Sequence, residues 1–111
     1  MYSTLPIVDS QGEQTNPADD AVVADTGALD AGMYEVLVTA SSSADAQFAL
    51  QRRNAANDTT VGDVIGFYTA TSTPVQLIFT LFVDHSQRLR VIMDDALTGT
   101  CWVSIVATRV Q

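Results

Sequence analysis

The sequence predicts an all-β protein, an antiparallel β-sandwich of jelly-roll type with an extended N-terminal arm. Three observations lead there. Apolar and polar residues alternate over short runs that recur at regular spacing, which is the period of half-buried strands. Clusters of turn-forming residues, "SSSAD", "NAANDTTVGD", "DHSQ" and "DDALTG", separate those runs. No stretch joins helical spacing to convincing capping residues. With 111 residues the chain suits one domain, which buries roughly two-thirds of its unfolded surface.

Taken in order, residues 1–20, "MYSTLPIVDSQGEQTNPADD", read as the arm, and residues 21–111 as the sandwich. The arm opens with an apolar cluster (Tyr2, Leu5, Pro6, Ile7 and Val8) and continues as a polar, proline-containing linker. "AVVAD" is a short edge strand. In "GMYEVLVTA", Tyr34, Val36, Val38 and Ala40 share one face. "AQFALQRRN" has residues that favour helix, but its weak caps and strand-rich surroundings favour strand. "VIGFYTAT" follows as another strand. Residues 75–83, "VQLIFTLFV", are apolar on both faces apart from Gln76 and Thr80, so a central strand with both faces covered is expected. This run is far short of the about 20 residues a membrane-spanning helix needs. "DHSQ" then reads as the turn of a hairpin into "RLRVIMD", with Leu89, Val91 and Met93 inward. "TCWVSIVATRV" closes the domain by alternating Cys101, Val103, Ile105 and Ala107 against Trp102, Ser104 and Val106.

Composition narrows the function. Thirteen acids face five bases, all arginine, for a net charge of −8. The first fifty residues hold eight acids and no base, and the rest hold five of each. Such a chain repels nucleic-acid phosphate and anionic lipid, so neither is an expected partner. The single cysteine, Cys101, rules out an intramolecular disulfide and a cysteine-based zinc cluster. The start lacks a basic residue followed by a continuous apolar stretch, so no secretory leader is expected, and synthesis in a reducing cytoplasm fits.

Catalytic signals are weak. "VDHS" sets Asp84, His85 and Ser86 side by side, but neighbouring residues diverge, and a triad must converge on one point. There is no G-x-S-x-G elbow and no second histidine for a metal pair. Asp19–Asp20 and Asp94–Asp95 lie outside any calcium-loop pattern and read as solvated turn acids. A carboxylate enzyme using Asp94 and Asp95 is the least favoured of three classes. No cofactor, metal or catalytic residue is expected. The aromatics Trp102, Tyr34, Phe67, Tyr68, Phe79 and Phe82 suit a core, a sugar-stacking platform or an interface. Phe82 and Trp102 fall opposite the main core positions and are the candidates for an oligomer contact.

The arm "YSTLPIVDSQGEQTNPADD" and the strands "AGMYEVLVTASSSADAQFALQRR" and "GTCWVSIVATRV" resemble the head decoration, or cement, proteins of tailed bacteriophages. The strand pattern is also similar to trimeric viral and tumour-necrosis-factor-like sandwiches. The resemblance implies a virion structural protein on the capsid exterior, a homo-oligomer with a trimer favoured. It implies major capsid protein or another virion protein as partner, and the arm residues Tyr2, Leu5, Pro6, Ile7 and Val8 are the expected anchor. The alternative is a carbohydrate- or receptor-binding module of a tail fibre or spike, using loops near 41–45, 54–63 and 84–87.

Overall fold

The computed structural model describes residues 6–111, with the backbone alone at Gln11, Asp63 and Val64. Eight strands follow one another: β1 (Ile7–Thr15), β2 (Val22–Asp25), β3 (Gly32–Ser42), β4 (Ala46–Arg53), β5 (Thr60–Thr69), β6 (Val75–Val83), β7 (Arg88–Met93) and β8 (Thr100–Arg109). They form two antiparallel four-stranded sheets, ordered β1-β8-β3-β6 and β2-β7-β4-β5. We call these the first and second sheets. Eight strands crossing repeatedly between two sheets make a jelly roll, as the sequence predicts.

The inward residues of both sheets form one core. Val36, Val38, Val103 and Ile105 from the first sheet meet Phe48, Leu50, Leu89, Val91 and Met93 from the second, all at most 2% exposed. Phe48 stacks on Phe67 with ring centroids 5.1 Å apart. Burying each such side chain contributes about 1.5–3 kcal/mol. Ser42 and Thr69 are the buried polar residues among those described. Their hydroxyls bond to each other at 2.6 Å and join β3 to β5 across the sandwich.

Three expectations need correction. Residues 7–15 of the expected arm are not a free extension: they form β1, the edge strand of the first sheet, paired with β8 from Ile7↔Ala107 to Thr15↔Thr100. Alternation in "IVDSQGEQT" is masked by a bulge between Ser10 and Glu13, where Gly12 takes a left-handed φ of 71°. The boundary at residue 20 therefore cuts off a strand of the sandwich.

The run 75–83 is an edge strand, not a central one. β6 pairs with β3 alone, and its outer residues Ile78 and Phe82 are 68% and 51% exposed. Apolar residues on both faces suggested two covering layers, but the described residues supply only the inner one.

Nor is 84–87 a hairpin turn. Gln87 N–H donates to the Asp84 carbonyl, Ser86 adopts φ 62°, and Ser86 N–H donates to the Leu29 carbonyl. The chain thereby passes from the first sheet to the second, where β7 lies between β2 and β4.

Candidate binding site on the second sheet

The outer face of the second sheet is built from alternate residues of β7, β4 and β5. Gln47 pairs with Tyr68, and Asp94 N–H donates to the Gln47 carbonyl, so Asp94, Gln47 and Tyr68 stand in one row across the strands. The next row is low, because Ile92 and Ala49 are paired and Ala49 faces Gly66, which has no side chain. Beyond it Arg90 and Gln51 pair, and Arg90 Nε donates to Gln51 Oε1 at 2.8 Å. A shallow groove of about 270 Å³ results, lined by Gln47, Phe48, Gly66, Phe67, Tyr68 and Asp94.

Tyr68 is 51% exposed. Its hydroxyl lies beside the Asp45 carboxylate. That carboxylate accepts the Thr71 N–H and the Thr71 hydroxyl, each at 3.0 Å. The Tyr68 hydroxyl, followed by the two Thr71 donors, keeps the Asp45 carboxyl below its ordinary pKa. The same carboxylate pushes the Tyr68 phenol up. The groove thus offers an aromatic face, an amide, a carboxylate and a floor without side chain at Gly66.

The outer face of the first sheet is different. Val8↔Val106, Val106↔Leu37 and Leu37↔Ile78 are successive partners, giving an apolar row across all four strands. A polar row, Ser10, Ser104, Thr39 and Gln76, lies beside it. Phe82 and Trp102 share this face, at 51% and 42% exposed. They do not meet: their partners on β3 are Met33 and Ser41, about 26 Å apart along a strand.

The other predicted residues are scattered. Tyr2 and Leu5 lie outside the described residues. Pro6 is exposed, and Ile7 and Val8 are 39% and 60% exposed on β1. His85 is exposed in its turn, its backbone N–H donating to Asp84 Oδ1. Asp94 lines the groove, whereas Asp95 accepts its neighbour's Ala96 N–H. Among the described residues no three His, Cys, Asp or Glu gather as a metal site. Of the loops expected to bind glycan, 41–45 contributes Asp45. Loop 54–58 spends its polar groups on itself, with Asn54 holding Asp58 and Arg53 holding Asn57. Gln47 and Gly66 were missed. A glycine inside a strand pattern, flanked on the same face by Tyr68, is the signal that marks them.

No protein-family model matches the chain, and no curated protein matches it. Solved structures do. The globular domain of zebrafish complement 1qA superposes with a TM-score of 0.62 at 11% identity, over 96% of this chain and 95% of that one. A CBM4 module gives 0.61 at 11% identity, over 86% of this chain and 66% of that one. The carbohydrate-binding module CBM6cm-2 of Cellvibrio mixtus lichenase 5A, in complex with cellotriose, gives 0.53 at 13% identity, over 99% of this chain and all (100%) of that one. At such identity the likeness establishes the fold: a β-sandwich of the kind found in carbohydrate-binding modules and in a C1q globular domain.

Proposed function

We propose that the protein is a non-catalytic carbohydrate-binding module that holds a glycan in the groove of the second sheet. The observation that carries the reading is the exposed Tyr68 ring, set beside Gln47 and Asp94 above Gly66. The C–H face of a sugar ring stacks on an aromatic face, and its hydroxyls exchange hydrogen bonds with amides and carboxylates. A groove of about 270 Å³, open and below the usual range of about 300–1,000 Å³ for drug-sized ligands, suits one or two sugar units of a longer chain. Glycoside hydrolysis needs two carboxyl groups flanking the bond, and Asp94 is the one carboxylate among the described lining residues. The CBM4 and CBM6 neighbours support the ligand class.

Native affinity electrophoresis against soluble β-glucans, xylans and mannans tests this reading. One polysaccharide should retard the wild type, Tyr68→Ala should run freely, Gln47→Ala should be weakened, and Trp102→Ala should behave as wild type. Migration unaffected by every polysaccharide would overturn the function. Undiminished retardation of Tyr68→Ala would overturn the site.

A second reading, capsid decoration, is favoured by the outward apolar row Val8–Val106–Leu37–Ile78, exposed at Val8 and Ile78 and half-buried between them, which includes Val8 of the predicted anchor. It requires the protein to co-sediment with capsids of coat protein encoded in the same genome, and Val8→Asp to abolish this.

A further inference from the structure

Jelly rolls leave four strand edges, and three here are blunted. β1 carries the Gly12 bulge and the acids Asp9 and Glu13. β2 is four residues long with a register shift between Val22 and Ala24. β5 has Gly62 at φ 74° and a register shift opposite Gln51–Arg53. Such devices stop edges from pairing with other chains. β6 has none in its own sequence: nine residues, "VQLIFTLFV", paired with β3 in unbroken register from Gly32↔Val83 to Ala40↔Val75, with no charge, proline or glycine, so that Arg52 of β4, at the Phe82 carbonyl, is the charge that reaches this edge.

The free backbone groups of β6 can be assigned. Met33 N–H donates to the Gln111 carbonyl, and Val110 N–H donates to the Met33 carbonyl. Met33 therefore bonds toward β8, leaving its partner Phe82 with backbone groups that point away from β3. By alternation, so do those of Thr80, Ile78 and Gln76. Arg52 Nη1 donates to the Phe82 carbonyl at 2.8 Å, in keeping with that direction.

The inward face of the same strand reads Val75, Leu77, Phe79, Leu81, Val83, the same in both directions. Leu77, Phe79 and Leu81 are only half-buried. Phe79 and Leu81 border a slot of about 160 Å³, lined also by Leu50, Arg52, Ile65, Thr80 and Leu89.

We propose that a second copy of this chain covers this edge, β6 against β6 in antiparallel register about a two-fold axis at Phe79. Phe79 then faces its symmetry mate as a non-hydrogen-bonded pair, where side chains approach most closely. Leu77 faces Leu81 and Val75 faces Val83, each apolar position meeting an apolar one. The outward backbone groups of Ile78 bond those of Thr80 in the partner, and those of Gln76 bond Phe82. The Phe82 carbonyl has a second lone pair for this beside Arg52. The two first sheets become one eight-stranded sheet, a closed two-fold assembly instead of the trimer that the phage resemblance implies. The glycan groove lies on the other sheet, so this pairing stands independently of the proposed ligand.

Sedimentation velocity over a concentration series tests the proposal, with Ile78→Pro and Thr80→Lys as variants. The Ile78 N–H points away from β3, so proline there removes no bond within the sheet while blocking pairing outside it. Thr80→Lys, an exposed outward position, sets a charge on the edge and guards against misfolding of the proline variant. The wild type should sediment as twice 11.9 kDa, and both variants as monomers with unchanged circular dichroism. A wild-type monomer at every concentration, a trimer, or a dimer that survives Thr80→Lys would overturn the proposal.

Discussion

The bond between Ser42 and Thr69 gives the sharpest test of the two-sheet packing. Both side chains are at most 1% exposed, and their oxygens lie 2.6 Å apart. Thr69→Val replaces the hydroxyl with a methyl of similar size and leaves the Ser42 hydroxyl buried without this partner, which costs about 1–3 kcal/mol. Ser42→Ala strands Thr69 in the same way and at similar cost. The double variant removes both polar groups, so it forfeits only the net value of the bond, about 0.5–1.5 kcal/mol. With each single at about 2 kcal/mol and the double at about 1 kcal/mol, the interaction energy of the cycle is about 3 kcal/mol, the upper end for residues in contact. At about 4 °C per kcal/mol for a domain of this size, each single should lose about 8 °C and the double about 4 °C. Equilibrium urea unfolding followed by far-ultraviolet circular dichroism supplies the free energies. A double variant that loses the sum of the two singles would refute the reasoning, because the hydroxyls would then act independently.

Other outcomes follow from single sites. A Cβ at Gly62 would overlap the Arg52 guanidinium and meet a φ of 74°, so Gly62→Ala should lose at least the about 1–2 kcal/mol of left-handed strain. In an Arg52→Ala background, urea unfolding should show the smaller loss. The Cys101 thiol is pushed above its ordinary 9.0 by burial. Its contribution to stability is complete below that value and fades as pH rises through the folded-state pKa. At neutral pH an aromatic disulfide reagent should label it only as fast as the protein unfolds. Asp45 lies below its ordinary 3.8, so its ionised interactions with Thr71 and Tyr68 are present above that value and are lost as pH falls through the depressed pKa. In an Asp94→Asn background, which takes the groove's own carboxylate out of the comparison, glycan binding measured by calorimetry should hold down to 3.8, and an earlier decline contradicts a role for Asp45. Arg88 Nε lies 3.1 Å from Asp25 Oδ1 in a part-exposed pair. Arg88→Met should cost at most about 1 kcal/mol, and less at high salt.

Alternation with a period of two told which side of each strand faces the core, and little more. It placed Val36 and Val38 inside, Leu89 and Val91 inside, and Phe82 and Trp102 outside, all as observed. A face is local information, because successive side chains point opposite ways whatever the neighbours are. Neighbourhood is not local. The sequence around Asp84–Gln87 holds turn chemistry suitable for a hairpin, yet the Leu29 carbonyl, distant in sequence, accepts the Ser86 N–H where the chain changes sheets. In "VQLIFTLFV", apolar residues on the outward side look alike whether a second layer, another subunit or water lies against them. The edge position of β6 follows only from the order of all eight strands. The groove is hidden for the same reason. Gln47, Gly66, Tyr68 and Asp94 come from β4, β5 and the residue after β7, and the pairings Gln47↔Tyr68 and Ala49↔Gly66 bring them together. Asp45 and Thr71, bonded to each other beside the ring, lie in separate connections between strands. Catalytic motifs are legible when one turn carries the chemistry. A site laid across strands becomes visible only once the register is known.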